Sequence, residues 1–192
     1  MKRTMGLFLV LAAAALAAAC TNKQGETEAP VFITVNLPEQ PGFVDIAIVA
    51  PVQVQTIQLA SHLKNPNATD PQGFNNVTIE NYTVTYRRTD GGTIVPPVQS
   101  FGGGVLVPAG GNATLSNYPI MYASAIQGTP FDQLLPFNGG IDRQTGKTEI
   151  DTAFDLTFFG HTASGMRVQS ETASGILIFH YGATTAGTRA KK

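Results

Sequence analysis

The side chains able to do chemistry in this chain are few and scattered. Its three histidines, His62, His161 and His180, include no pair at the close spacing of a metal-binding motif. Asp151 and Asp155 stand four apart in a stretch with strand alternation, which puts them on one face roughly 13 Å apart. A general acid/base pair of carboxylates needs about 5–9.5 Å, so a solvated strand face is the better reading. Asp142-Arg143-Gln144-Thr145-Gly146 has the outline of a calcium loop without its repeated acidic ligands. Serine catalysis would use a Gly-x-Ser-x-Gly elbow, which does not occur, and Ser164-Gly165 and Ser174-Gly175 read as turns. Gly102-Gly103-Gly104 is not followed by Gly-Lys-Ser/Thr, so it is not a phosphate loop. No catalytic residue, metal ligand or cofactor is predicted.

One residue stands apart. Cys20 is the only cysteine of 192 residues, and it closes an uncharged apolar run over Met5 to Ala19 that begins behind Lys2 and Arg3. A positive start, an apolar core and small residues before a cut site make a secretory signal peptide. The run is short of the roughly 20 apolar residues that span a bilayer. A retained membrane helix is therefore the poorer reading.

The stretch Leu16-Ala17-Ala18-Ala19-Cys20 resembles the lipobox of bacterial lipoproteins, with Ala17 where that family most often has Leu. The resemblance implies that a lipoprotein signal peptidase cuts before Cys20, whose sulfur carries a diacylglyceryl thioether and whose amino group accepts a further acyl chain. Each buried methylene contributes about 0.8 kcal/mol, and one chain alone binds only marginally. Two or three chains on one cysteine give a stable membrane anchor. In the enterobacterial members Asp after the cysteine favours the inner membrane, and Thr21 here points to the outer membrane where the cell has one.

Composition narrows the partners. The chain carries 12 Lys and Arg against 13 Asp and Glu, a formal net charge of −1, two units more negative once Lys2 and Arg3 leave. Nucleic acid would select a strongly basic face, and is excluded as a partner. With its sole thiol lipidated, the domain has no internal disulfide, so its fold must rest on apolar burial and backbone ladders.

After the lipidated Cys20, Thr21 to Pro30 is polar and ends in Pro, a ten-residue tether of at most about 35 Å when extended. From Val31 to Tyr181 alternation of period two dominates, the mark of half-buried strands. Val31, Ile33, Val35 and Leu37 share a face; Val44, Ile46 and Ile48 alternate next, then Val52 and Val54, leading to Ile57 and Leu59. Val77 and Ile79 share one parity and Tyr82, Val84 and Tyr86 the other, which predicts a bulge between them. Thr93 to Phe101 reads as an edge strand because Pro96 and Pro97 interrupt it. Thr129-Pro130-Phe131-Asp132 predicts a short helix to Leu135. Ile150 to Phe158, Met166 to Ser170 and Gly175 to Tyr181 supply the last strands.

The prediction is therefore an all-β fold, an antiparallel β-sandwich of about nine strands, with an up-and-down barrel as runner-up. The divisions are 1–19 signal peptide, 20–30 lipidated cysteine and tether, 31–181 sandwich and 182–192 tail. Tyr82-Thr83-Val84-Thr85-Tyr86 with the Asp90-Gly91-Gly92 turn, and Phe154 to Gly160, are similar to strands of small immunoglobulin-like lipoprotein domains. The Cys–Trp–Cys signature of true immunoglobulin domains is missing. Tyr118, Tyr122, Phe131 and Phe137 cluster in the irregular segment before the last strands. Either they plug one end of the sandwich or they line a groove for a glycan, peptide or lipid. The expected function is a non-catalytic binding, adhesion or envelope-assembly module held on a membrane by the lipid on Cys20. The alternative is an envelope hydrolase whose site assembles from the dispersed His and Asp residues.

Overall fold

The computed structural model describes residues 29–39 and 42–182. Cys20, the signal segment 1–19, the tether up to residue 28 and the tail from 183 onward lie outside those residues. Among the described residues the alternating stretches form β1 (Val31–Asn36), β2 (Phe43–Asp45), β3 (Val52–Leu63), β4 (Val77–Arg88), β5 (Gln99–Val107), β6 (Asn112–Met121), β7 (Glu149–Thr162), β8 (Arg167–Gln169) and β9 (Ala173–His180). One sheet runs β1-β3-β6; the other runs β2-β9-β7-β4-β5, with β8 on β7. The strands pair antiparallel except β2, which runs parallel to β9. Chain neighbours β1 and β2, β3 and β4, β5 and β6, and β6 and β7 lie in opposite sheets. Such sheet-to-sheet crossings make an all-β sandwich of two sheets rather than a single closed barrel.

Inward-facing residues of both sheets meet in one core. Ile33, Ile57 and Leu59 from the smaller sheet face Tyr82, Val84, Phe154, Phe158 and Phe179 from the larger, all 0% exposed. Each strand contributes alternate residues because successive side chains point to opposite faces. The two sheets are also tied by hydrogen bonds. Tyr82 Oη donates to the Pro119 carbonyl at 2.7 Å, and Tyr86 Oη donates to the Ile120 carbonyl.

The predicted parity switch on β4 is a register shift between Ile79 and Asn81 against both neighbouring strands. Backbones come close there. A Cβ on Gly160 of β7 would stand 2.0 Å from the Thr78 carbonyl oxygen, so this position accepts only glycine. The strand expected over Thr93 to Phe101 begins only at Gln99. Pro96 and Pro97 have no N–H to give a ladder, and β5 still lies at the sheet edge. The short helix expected to reach Leu135 is a 3-10 turn, Phe131–Leu134, followed by a second over Pro136–Asn138.

Register fixes two ends. Val31 pairs with Leu63, Ala60 with Asn112, and Val77 with both Val107 and Thr162. The chain preceding β1 therefore enters at the end that also carries the 64–76, 108–111 and 163–166 connections. The opposite, distal end carries residues 46–51, 89–98 and the long 122–148 segment. Among the described residues no helix is long and apolar enough to cross a membrane.

Candidate functional site

The distal end is built around a buried charge cluster at the top of β4. Tyr82, Val84 and Tyr86 point inward, and Arg88 continues their row. Its Nε donates to Asp90 Oδ1 at 2.8 Å, and its Nη2 donates to Asp90 Oδ2 at 2.7 Å and Asp142 Oδ2 at 2.8 Å. The Arg88 side chain is 1% exposed and both carboxylates are 0% exposed. One guanidinium thus faces two carboxylates, and further donors share the surplus negative charge. The N–H groups of Gly92 and Asp151 reach Asp90, while the N–H and hydroxyl of Thr145 reach Asp142 Oδ2.

Burial alone pushes the Asp90 carboxyl up, but the hydrogen bonds from Arg88, Gly92 and Asp151 outweigh it and bring its pKa down to about 2. Asp142 is lowered in the same way: burial opposes, and the Arg88 and Thr145 hydrogen bonds prevail. Burial disfavours the Arg88 cation, yet the two carboxylates raise its pKa above the ordinary guanidinium value. All three groups stay ionised near neutrality. Their task is mechanical. The cluster ties the 90–92 turn and the 142–146 loop to the junction of β4 and β7, where Arg88 already pairs with Thr152.

The same end carries an open cleft of about 460 Å³, lined by Pro97, Val98, Ser100, Tyr122, Ala125 and Thr129 among others. One wall is the start of β5 and the other is the single helical turn Ala123–Ile126. Gln99 ties them: its Oε1 accepts the Tyr122 N–H at 2.7 Å, and Tyr122 Oη donates to the Ser100 carbonyl at 2.8 Å. The Tyr122 ring lies 4.4 Å from Phe101, which stacks 5.1 Å from Tyr82, and Tyr118 lies 5.5 Å from Tyr82. Burial, with Tyr118 and Tyr122 nearby, raises the Tyr82 phenol well above its ordinary value. This row of rings runs from the core to the cleft, with Tyr122 at its exposed end.

The four aromatics expected in a single groove therefore part company. Tyr122 lines the cleft and is 45% exposed. Tyr118 is half-buried against Tyr82. Phe131 corrects the groove expectation outright: it is 0% exposed and stacks on Phe179 at 3.8 Å, a plug of the core. Its 3-10 turn holds the ring beneath the loop, so it cannot meet a ligand. Phe137, 81% exposed on the neighbouring turn, stands outside the cleft lining.

The histidines are held separately. His62 stacks on Phe32 at 4.9 Å with Nε2 3.0 Å from Thr34 Oγ1. His161 Nδ1 is 3.3 Å from Glu80 Oε1, and His180 meets the edge of Phe43 at 6.0 Å. His180 pairs with Glu149 at one end of β7, while His161 is near the other end of the same strand. At about 3.3 Å per residue that separation is roughly 40 Å. Among the described residues no group of three His, Cys, Asp or Glu converges on a volume that could hold a metal ion. Asp155, on the outer face of β7, accepts from the Ser174 hydroxyl and lies 3.8 Å from Arg87.

Neither a scan of protein-family models nor a search of curated proteins matches this chain.

Proposed function

We propose that the protein is a lipid-anchored, non-catalytic binding module that presents its distal loops to a partner polypeptide in the cell envelope. Cys20 carries the anchor, and the sandwich is the rigid scaffold. The observation that carries this reading is where the exposed apolar side chains fall. Ile48, Val49, Ile94, Val98, Tyr122, Phe137 and Ile141, each more than 40% exposed, lie on connections at the end opposite the chain's entry. Apolar residues gathered on loops at one end, with Val98 and Tyr122 lining a cleft there, favour a binding role over a solvated cap. The cleft mixes apolar walls (Val98, Tyr122, Ala125) with hydroxyls (Ser100, Ser124, Thr129), a combination suited to a peptide segment with one buried side chain.

The hydrolase reading asks for convergence of His and Asp groups, and the separation of His161 and His180 along β7 weighs against it. The test is site-specific photo-crosslinking in intact cells, with the reactive group at Val98 or Ile141 and, as control, at Thr85 on the outer face of the larger sheet. Val98 and Ile141 should yield one shared adduct of discrete mass, lost when Tyr122→Asp is introduced. Equal adduct patterns from all three positions would rule out a distal binding surface.

A further inference from the structure

We infer that the tether end of the sandwich is a membrane-seating surface, on which Phe74 and Met166 rest in the interfacial layer of the bilayer that holds the Cys20 lipid. The inference rests on the anchored reading above and adds which face meets the lipid.

The chain enters the fold at this end, where the Lys64 N–H donates to the Pro30 carbonyl at 2.8 Å. Eleven positions separate Cys20 from Val31, so the fold is held within at most about 40 Å of the bilayer. Two turns at that end each present an apolar side chain. In the first, Asp70 Oδ1 accepts the Phe74 N–H at 3.1 Å and Oδ2 accepts the Asn75 N–H at 2.7 Å. Gly73 takes φ +71° to complete this turn, and Phe74 projects 57% exposed. In the second, Thr162 N–H donates to the Met166 carbonyl at 2.8 Å, and Met166 N–H donates to Thr162 Oγ1 at 3.0 Å. Met166 is 42% exposed.

The two turns are locked to each other. Ser164 N–H donates to the Phe74 carbonyl at 3.0 Å, and Ala163 N–H donates to the Asn76 carbonyl at 2.8 Å. Their apolar side chains are thus held on a fixed backbone rather than left on a frayed loop. Two such side chains would bind a membrane weakly on their own. Tethering makes the contact intramolecular, and a weak contact then becomes populated. Seating this end turns the distal cleft away from the membrane.

The chain contains no tryptophan, so a single introduced indole reports its own surroundings. The lipidated protein carrying Phe74→Trp, Met166→Trp or Phe137→Trp is reconstituted into vesicles of phosphatidylethanolamine and phosphatidylglycerol, with brominated phosphatidylcholine as quencher. Flotation is scored in parallel. The expected result is co-flotation of all three, with a blue shift and loss of emission at positions 74 and 166 and neither at 137. Co-flotation with positions 74 and 166 as unquenched as 137 overturns the seating surface and leaves the anchor standing. Failure to float removes the anchor and the seating together.

Discussion

Arg88 and Asp90 form a two-pronged ion pair two residues apart in the chain, with Nε and Nη2 each donating to a different carboxylate oxygen at 2.8 and 2.7 Å. The pair closes the end of a core strand, and through Asp142 it captures a loop 54 positions away in the chain.

Replacing Arg88 with Met should therefore cost about 3–5 kcal/mol, because two carboxylates are left buried without their cation. Urea unfolding followed by circular dichroism measures the loss. Adding Asp90→Asn and Asp142→Asn to the Met variant should recover part of it, since no buried charge then remains. A triple variant less stable than Arg88→Met alone would contradict the charge argument.

Acid should weaken the same junction. The folded-state pKa of Asp90, about 2, lies below its ordinary value of 3.8. Its ionised form therefore stabilises the fold fully above about pH 5, and that contribution fades as pH falls towards 2. The difference is about 2 kcal/mol. Unfolding midpoints at pH 7 and pH 3 should differ more for the natural chain than for Asp90→Asn. Parallel pH profiles for the two would contradict it.

Gly160→Ala tests the close approach at the β4 bulge. A methyl group 2.0 Å from the Thr78 carbonyl oxygen can be relieved only by moving backbone. The expected loss is about 3 kcal/mol or more, read from the thermal midpoint. Gly102→Ala, on the edge strand where nothing lies within 4 Å of a new Cβ, is the control and should lose much less.

The fold was legible because its signals are local. Alternation in Val31 to Leu37 and in Ile150 to Phe158 marked the strands, and the parity change between Ile79 and Tyr82 marked the bulge. The charge cluster was missed. Its one signal is that Arg88 has the same parity as Tyr82, Val84 and Tyr86, which places it on the inward row. Asp90 and Asp142 supply its anions from stretches whose composition reads only as turns. Asp90 is local to Arg88, but pairing Arg88 with Asp142 depends on a contact spanning β5, β6 and most of the 122–148 segment, which no local spacing encodes. The aromatic segment misled for the same reason. Tyr118, Tyr122, Phe131 and Phe137 lie close in sequence, but a 3-10 turn sends Phe131 into the core while Phe137 faces solvent. Neither turn has a periodicity long enough to assign an inward side.

Both the proposed envelope role and the proposed seated end rest on the lipid expected at Cys20. Intact-mass and fragment spectrometry of the protein extracted from cell membranes measures it directly. The expected amino terminus is Cys20, bearing a diacylglyceryl thioether. An amino terminus at any other residue, or an unmodified Cys20 thiol, would contradict it.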